Sequence, residues 1–386
     1  MPLDVLFMLR IRFPRPFLVS TTIVVSSFVG LSACSSDSAA PTTAVGTVIT
    51  TEPPKTTEPE PTTTEPATTE LATISTDAPT TEAPTTTTSP AALAPATVYA
   101  LTGLAITDPI AALRPALVVK IDNAPGARPQ TGFNEADIVF EEIVNDNLTR
   151  FAMVFQSQGS DPVGPIRSGR IQDINLFGAL NHPLFAWSGG NRTVTDAIHN
   201  SDLLDIGPSR ASVYFRTGRS APHNLYSKTQ DLWAQAPPFW PSPAQQFTYR
   251  NPDDIAAGEP SAGVLATLDS IDVRWDWDAS VGLYRRTMER RVHEDASSGQ
   301  ITTNNVVVLV MQYASGISGS PDAQTIGSGE AFVFAAGKYV HATWTRNDRL
   351  DPFTLTADDG SIVALTPGRT FIELPRPGHT LPLAGE

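Results

Sequence analysis

Apolar runs and alternating patterns predict several β-strands in the part of the chain that begins at Val98. The run Ala116 to Asp122 predicts a strand that ends in a polar turn at Asn123 to Gly126, and Leu184 to Asn191 predicts a strand that runs into a Gly-Gly turn. Thr193 to Asn200 has the spacing of a short helix. These elements together indicate a domain of mixed helices and strands.

Beyond a proline-rich stretch, the pattern becomes that of β-structure. Pro237 to Pro243 interrupts every periodicity and predicts a domain boundary. From Ile271 to Trp277 apolar and charged residues alternate, and later runs predict further strands and hairpins. The run Trp275 to Asp278 has two interpretations, a surface on which sugars stack or aromatic side chains that pack at a core edge. The predicted fold class is α+β, with an N-terminal mixed α/β domain and a β-rich C-terminal domain behind a disordered tether.

The strand predicted at Asp137 to Val144 carries one carboxylate on each face. Glu141 and Glu142 point to opposite sides, because successive side chains of a strand alternate. A half-buried carboxylate needs a partner. If residues 145–147 form a three-residue hairpin loop, the next strand, Thr149 to Gln156, places Arg150 opposite Glu142. This pair is open to a structural role and to a ligand-binding role.

The run GPIRSGR precedes apolar residues at the spacing of a helix. Those apolar residues are Ile171, Ile174, Phe177 and Leu180, so the sequence predicts a helix that begins near Ser168 and is capped by it. Arg167 and Arg170 flank the predicted cap, and free backbone amides beside guanidinium groups hold carboxylate or phosphate well. The alternative is a capped helix whose arginines pair with neighbouring acidic residues.

The beginning of the chain predicts export and a tether. Three arginines precede an apolar run from Phe17 to Leu31, and Leu31-Ser32-Ala33-Cys34 fits the lipobox of bacterial lipoproteins, in which the cysteine receives lipid. An ordinary secretory signal with a chance cysteine, or an uncleaved membrane anchor, would be the alternative. From Ser35 to about Pro95 the chain repeats Thr, Pro, Glu and Ala, a composition typical of disorder. The predicted organisation is a lipoprotein signal peptide (1–33), a disordered linker (34–97), an N-terminal domain (98–236), a C-terminal domain (244–376) and a tail (377–386).

Charge and residue usage exclude several kinds of partner. The formal net charge is -14. The leader carries three arginines against one aspartate, and Ser35 to Thr97 carries eight acidic residues against one lysine, which leaves about -9 on the folded part. Such a surface repels a phosphate backbone, so we expect no nucleic-acid partner. One cysteine, and histidines without a pair at helical ligand spacing, predict no disulfide framework, no metal site and no cofactor.

Arginines concentrate among turn-forming residues in three runs, KIDNAPGARPQTG, NLTRF and GPIRSGR. We expect the four arginines of these runs to converge on one cleft and to bind an anionic small molecule or envelope polymer. His223, in the turn Ala221 to Asn224, is the histidine expected nearby. The predicted ligand-binding residues are Asn123, Arg128, Glu142, Arg150, Arg167, Ser168, Arg170, Asn191 and His223, and the predicted lipidation site is Cys34.

Several of these runs resemble one protein family. KIDNAPGARPQTGFNEADIVFEE, TRF, GPIRSGR, GGN and APHN resemble the YerB-like family of bacterial lipoproteins, and Val306 to Leu374, with KYVHATW, DDG and TPGRTFIEL, is similar to that family's C-terminal domain. The similarity covers nearly all of the chain after Val98. It implies an N-terminal mixed α/β domain, a β-rich C-terminal domain and membrane attachment, and it supplies no activity and no catalytic residues.

Three functions are consistent with these patterns. The favoured one is a binding module, tethered by lipid on Cys34 to the outer face of the bacterial cytoplasmic membrane, for an anionic or carboxylate-bearing envelope ligand. The second is an envelope hydrolase or transferase that uses Glu141 or Glu142 with His223 and Ser168 or Ser188. It lacks a G-x-S-x-G elbow, and its two glutamates face opposite ways, so the sequence does not favour an enzyme. The third is a protein-interaction scaffold at the cell surface.

Overall fold

The computed structural model describes residues 96–145 and 147–385. The predicted signal peptide, Cys34 and nearly all of the predicted linker lie outside the described residues, and these three assignments remain predictions. Within the described ranges, no helix is long and apolar enough to cross a membrane.

The first part of the fold contains short helices between strands. Its strands are β1 (Leu117–Asp122), β2 (Ile138–Ile143), β3 (Thr149–Phe155), β4 (Leu184–Ala186), β5 (Leu204–Asp205), β6 (Phe215–Arg216) and β7 (Leu225–Tyr226). Its helices are α1 (Pro109–Ala112), α2 (Gln172–Leu176), α3 (Arg192–His199) and α4 (Thr229–Trp233), with 3₁₀ turns at Pro125–Ala127 and Gly178–Leu180. These elements confirm the predicted strands and the predicted short helix to within a few residues. The strands were predicted around residues 116–122, 137–156 and 184–191, and the helix around 193–200.

The second part is built almost entirely from strands. They are β8 (Glu259–Leu268), β9 (Ile271–Asp278), β10 (Leu283–Met288), β11 (Arg291–Val292), β12 (Glu294–Asp295), β13 (Gly299–Gln300), β14 (Thr302–Thr303), β15 (Asn305–Leu309), β16 (Tyr313–Ser315), β17 (Pro321–Ala323), β18 (Gly327–Ala335), β19 (Lys338–Arg346), β20 (Thr354–Ala357), β21 (Thr370–Glu373) and β22 (Thr380–Ala384), with a 3₁₀ turn at Ile317–Gly319. The β-rich character is as predicted, whereas the first part is less helical than an α/β domain implies. The segment treated above as a tail contributes β22, which pairs with β8.

One large sheet includes strands from both parts. Its strands lie in the order β11-β10-β9-β8-β19-β18-β15-β21-β2-β3-β1-β4-β5. Strand β21 lies between β15 and β2 and runs parallel to both. Strands β1, β4 and β5 are also parallel neighbours. The two predicted domains therefore share the backbone hydrogen bonds of one sheet.

Strands β1, β2 and β3 are buried along their whole length. Apolar side chains pack on both of their faces, with Val119 and Phe151 in one core cluster and Val118 and Ala152 in the other. Continuous burial explains why the sequence of these strands is a nearly unbroken run of apolar residues. It also means that every charged side chain they carry needs a partner inside the protein.

The helix predicted near Ser168 is wrong in its start and in its length. Helix α2 begins at Gln172 and ends at Leu176. Ser168 lies outside the helix because the preceding segment pairs with β1, where Ile166 forms a bridge to Ile121. A Cβ on Gly178 would lie 2.5 Å from the carbonyl oxygen of Arg349, and the apolar periodicity continues there only as a separate 3₁₀ turn.

A fully buried arginine joins the two parts of the fold. Arg286 on β10 contacts the carboxylates of Glu141 on β2 and Glu373 on β21, and its Nε donates to Nδ1 of His293 at 2.9 Å. Trp275 is also fully buried and donates to Glu373 at 2.8 Å. The core interpretation of this tryptophan is therefore confirmed.

Candidate functional site

The candidate site lies where two parallel strands end. Strands β1 and β4 pair in parallel and end at Asp122 and Ala186. The extended segment around Arg167 passes beside both ends, because its N–H donates to the Lys120 carbonyl at 2.9 Å and its carbonyl accepts the Ser188 N–H at 3.0 Å. Ligands of proteins with parallel strands commonly bind beyond the carboxyl ends of those strands. The backbone thus forms a cleft beyond the carboxyl ends of β1 and β4, the position where ligands commonly bind.

A polar pocket of about 340 Å³ opens at this position. We call it the Arg167 pocket. Its lining includes Arg167, Ser168, Arg170, Ser188, Asn191 and Ser318, with Gly169, Gly189 and Gly190 between them. Its volume falls within the range of small-molecule sites. Four residues of the predicted ligand-binding set, Arg167, Ser168, Arg170 and Asn191, therefore line one pocket.

Two glycines give the pocket open backbone donors. Gly189 has φ +95°, a conformation that favours glycine, and a Cβ built there would meet nothing within 4 Å. Among the described residues, the N–H groups of Gly189 and Gly190 donate to no backbone carbonyl. Asn191 caps α3, since its side-chain oxygen accepts the Val194 N–H at 2.9 Å. The loop therefore presents donors, and the capping side chain fixes its exit into the helix.

Asp122 organises the basic side chains behind the pocket. Its Oδ1 lies 3.2 Å from Arg150 Nη1 and accepts the Ala124 N–H at 3.1 Å, and its Oδ2 lies 3.2 Å from Arg167 Nε and 2.6 Å from His223 Nδ1. Burial opposes ionisation, but Arg150, the Ala124 N–H, His223 and Arg167 together hold the pKa of Asp122 below its usual value. A buried carboxylate thus brings together three residues that are far apart in sequence.

Below the pocket lies a second buried cluster, around Lys120. Its Nζ contacts Glu142 and lies 2.9 Å from Asp173, whose other oxygen accepts the Arg170 N–H at 2.7 Å. Burial lowers the pKa of Lys120 to about 8, although Asp173 opposes this effect. Gln172 connects the cluster to the second part of the fold, because it donates to Glu142 and its oxygen accepts the Ala323 N–H at 2.8 Å. This cluster positions Arg170 and the start of α2.

The predicted register of the β2–β3 hairpin is confirmed. Glu142 lies opposite Arg150 in the ladder, and Glu141 lies on the other face. Both glutamates are fully buried, with Glu142 in contact with Lys120 and Glu141 with Arg286. These contacts give Glu142 a structural role beneath the pocket, and Glu142 is not part of the pocket lining.

Asn123 and Arg128 lie apart from the Arg167 pocket lining. The Asn123 amide donates to Glu141 at 3.1 Å and to Thr149 at 2.6 Å, and its oxygen accepts from Arg128 Nε at 3.0 Å. Arg128 also pairs with Glu289 and lines a different opening, of about 510 Å³, between Pro125 to Pro129 and Met288 to Glu294. We call this opening the Arg128 cavity. Of the four arginines expected to converge on one cleft, Arg167 and Arg170 line the Arg167 pocket, Arg150 contacts Asp122 behind it, and Arg128 lines a separate opening.

Several residues that shape the site are absent from the predicted set. Lys120 and Asp122 had a signal in the sequence, since two charges at alternate positions of an otherwise apolar strand need buried partners. Ser318 had none, because it joins the pocket from the second part of the fold and follows no recognisable motif. Asp173 lay within the mispredicted helix. Within the described residues no group of three or more His, Cys, Asp or Glu is arranged to hold a metal ion.

Comparisons with known proteins agree with the fold. The model of the N-terminal domain of a protein family of unknown function, DUF3048, matches residues 101–239, and the model of the C-terminal domain of that family matches residues 265–372. The chain is 26% identical over 294 residues to a protein of Bacillus subtilis (strain 168) named "Putative lipoprotein YerB", a match that covers 71% of this chain and 85% of that protein. The crystal structure of YerB protein from Bacillus subtilis superposes with a TM-score of 0.66 at 21% identity, over 74% of this chain and 99% of that chain.

Proposed function

The chain belongs to the DUF3048 family, and from that premise we propose that it is a lipid-anchored protein of the bacterial cell envelope that binds an anionic or carboxylate-bearing ligand in the Arg167 pocket. The anchor would be lipid on Cys34, which places the folded part outside the cytoplasmic membrane. The lipobox and the name of the Bacillus subtilis relative support this location.

The observation that carries the binding proposal is the meeting of Arg167 and Arg170 in one polar pocket. Guanidinium groups form directed, charge-assisted hydrogen bonds with carboxylate and phosphate, and these are stronger than neutral ones. The N–H groups of Gly189 and Gly190 add donors on the same lining. A pocket that offers donors from two guanidinium groups and two glycine amides has the chemistry of an anion site.

Local charge supports the same conclusion. Around the pocket Lys120, Arg150, Arg167 and Arg170 stand against Asp122, Glu142 and Asp173, which leaves one positive charge when the lysine is protonated. The rest of the folded part is strongly acidic. An anion therefore meets repulsion over most of the surface and attraction at this pocket, so the pocket selects where an anion binds.

The test is calorimetry and thermal shift of the full chain with phosphate, polyphosphate and muropeptide fragments. We expect at least one of them to bind, and the variant with Arg167→Gln and Arg170→Gln to bind it at least tenfold more weakly, about 1.4 kcal/mol. Arg192→Gln with Arg210→Gln is the matched control, because both side chains are at least half exposed and each pairs with an aspartate outside the pocket lining. Equal binding by the two double variants, or no binding by the natural chain, would refute the proposal.

A further inference from the structure

The Arg167 pocket is lined mostly by short polar side chains. Besides its two arginines, the residues that bring a hydroxyl or amide group to the lining are Asn145, Ser168, Ser188, Asn191, Ser318 and Ser320. The remaining side chains of the described lining are aliphatic, and none of them is aromatic. Sites for apolar and aromatic ligands are lined predominantly by hydrophobic and aromatic side chains. The lining therefore favours a ligand that is itself rich in hydrogen-bonding groups.

Ser320 brings to this lining a buried hydroxyl group that has no hydrogen-bond partner in the described part of the chain. The residue is 6% exposed. Its backbone is held in a turn, because its N–H donates to the Ile317 carbonyl at 3.2 Å and its carbonyl accepts the Gly316 N–H at 2.7 Å. The other buried serines of the described chain donate to backbone carbonyls at 2.8 to 3.0 Å; they are Ser160, Ser227 and Ser261. Buried polar groups are normally hydrogen-bonded, so the exception at the pocket points to a partner supplied by a ligand.

Ser168 and Ser188 add two more hydroxyl groups without a partner among the described residues. Ser168 follows Arg167 in the chain, and the N–H of Ser188 donates to the Arg167 carbonyl at 3.0 Å. Both serines are half-buried. The backbone thus fixes both residues next to Arg167 and leaves their hydroxyl groups to a ligand.

We propose that the ligand of the Arg167 pocket is an anionic polyol or sugar, in which hydroxyl groups lie beside a phosphate or carboxylate group. This proposal rests on the proposed binding function. The arginines and the N–H groups of Gly189 and Gly190 bind the anionic group, and the serines bind the hydroxyl groups of the ligand. A serine hydroxyl both donates and accepts, as a ligand hydroxyl does, so the two pair in either direction.

An anion without hydroxyl groups would match only part of this pocket. Guanidinium and backbone N–H groups are donors, and they are sufficient for the oxygens of a phosphate or carboxylate group. The hydroxyl group of Ser320 would then remain buried without a protein or ligand partner. A site built to hydrogen-bond a ligand hydroxyl discriminates against an analogue that lacks it, because the polar groups of the site are left unpaired. The pocket should therefore distinguish anions by their hydroxyl groups.

The test is calorimetry of the full chain with two matched pairs of anions. Glycerol 3-phosphate is compared with propyl phosphate, and gluconate with hexanoate; the second member of each pair has the same carbon chain and anionic group without the hydroxyl groups. We expect the hydroxyl-bearing anion to bind at least about fivefold more tightly in one pair or both, the effect of two hydrogen bonds at the weak end of their usual range. The pair that shows this preference identifies the anionic group as phosphate or carboxylate.

Alanine variants test whether the serines cause the preference. Ser168→Ala with Ser188→Ala should lower it by at least about threefold, and Ser320→Ala should lower it as well. Neither variant should change the affinity for the hydroxyl-free anion by more than about twofold, which also shows that the variants are folded. Ser209→Ala with Ser212→Ala is the matched control and should keep the preference, because both serines are exposed and lie outside the pocket lining.

The same titrations separate this proposal from the one on which it rests. A preference below about fivefold in both pairs, or a preference that Ser168→Ala with Ser188→Ala lowers by less than threefold, would overturn the assignment of an anionic polyol or sugar. Binding of propyl phosphate or hexanoate that depends on Arg167 and Arg170 would in that case still support the binding proposal. Binding of none of the four anions would overturn both proposals.

Discussion

Replacement of Arg286 by methionine tests the buried network that joins the two parts of the fold. Arg286 is fully buried and contacts Glu141 and Glu373, each also fully buried and each on a different strand of the sheet. Its guanidinium group also lies 4.5 Å from the centre of the Phe371 ring. Methionine fills much of the same volume and carries no charge, so the substitution removes the cation and leaves both carboxylates in place.

The loss in the free energy of unfolding depends on how Glu141 and Glu373 are compensated once the guanidinium group is gone. Burial raises the pKa of Glu373 to about 8, so this carboxyl group is mostly protonated at pH 7 even beside Arg286, and loss of the guanidinium group raises the pKa further. Glu141 keeps hydrogen bonds from Asn123 at 3.1 Å and Thr149 at 2.5 Å, which partly compensate its charge. Removal of one partner of a buried ion pair costs about 3 to 5 kcal/mol. We expect a loss near the lower end, about 3 kcal/mol, in the free energy of unfolding.

The assay is urea denaturation of the full chain at pH 7, followed by tryptophan fluorescence. Arg285→Met is the control, because Arg285 is the neighbouring residue on β10 and pairs with Asp278 at a partly exposed site, where an ion pair contributes about 0 to 1 kcal/mol. The triple variant with Arg286→Met, Glu141→Leu and Glu373→Leu should recover much of the loss, since it leaves no buried charge there. A loss below 1 kcal/mol for Arg286→Met alone would refute the argument.

Three further predictions address the site and its support. Lys120→Met should lower the free energy of unfolding by about 3 to 5 kcal/mol in urea denaturation, because Glu142 and Asp173 lose their buried cation, whereas exposed Lys228→Met should change it by less than about 1 kcal/mol. Gly189→Ala should cost about 1 kcal/mol and weaken anion binding severalfold in calorimetry, because φ is +95° there, whereas Gly218→Ala, without a positive φ, should change neither. Burial raises the pKa of Asp137 to about 6 from 3.8, so the folded state holds a proton that the unfolded chain releases; this stabilisation is complete below pH 3.8 and is lost as the pH rises through about 6. The free energy of unfolding of the natural chain relative to Asp137→Asn should therefore be about 2 to 3 kcal/mol larger at pH 3.8 than at pH 7, and a difference independent of pH would contradict this.

Local patterns were sufficient to predict the strands around the site. Strands β1 to β3 are buried on both faces, and the chain marks them with runs of Val, Ile, Phe and Leu. The register that places Glu142 opposite Arg150 follows from the length of the hairpin loop, which is local information. The Gly-Gly turn and α3 were likewise visible in a few neighbouring residues.

The partners of charged side chains depend on contacts that are distant in sequence. Glu141 lies 145 positions from Arg286, and Asp122 lies 101 positions from His223. The helix expected at Ser168 failed for a related reason. The spacing of Ile171, Ile174 and Phe177 fits a helix, but residues 166–169 form backbone hydrogen bonds with β1 and with the loop that follows β4, which keeps them out of the helix. Tertiary hydrogen bonds there override local propensity.

A crystal structure of the full chain grown with phosphate tests the central claim most directly. We expect the phosphate within hydrogen-bonding distance of the guanidinium groups of Arg167 and Arg170. The same crystals of the variant with Arg167→Gln and Arg170→Gln should show no ligand in the Arg167 pocket. A ligand bound in the Arg128 cavity instead, or an Arg167 pocket that stays empty at saturating concentration, would contradict the account.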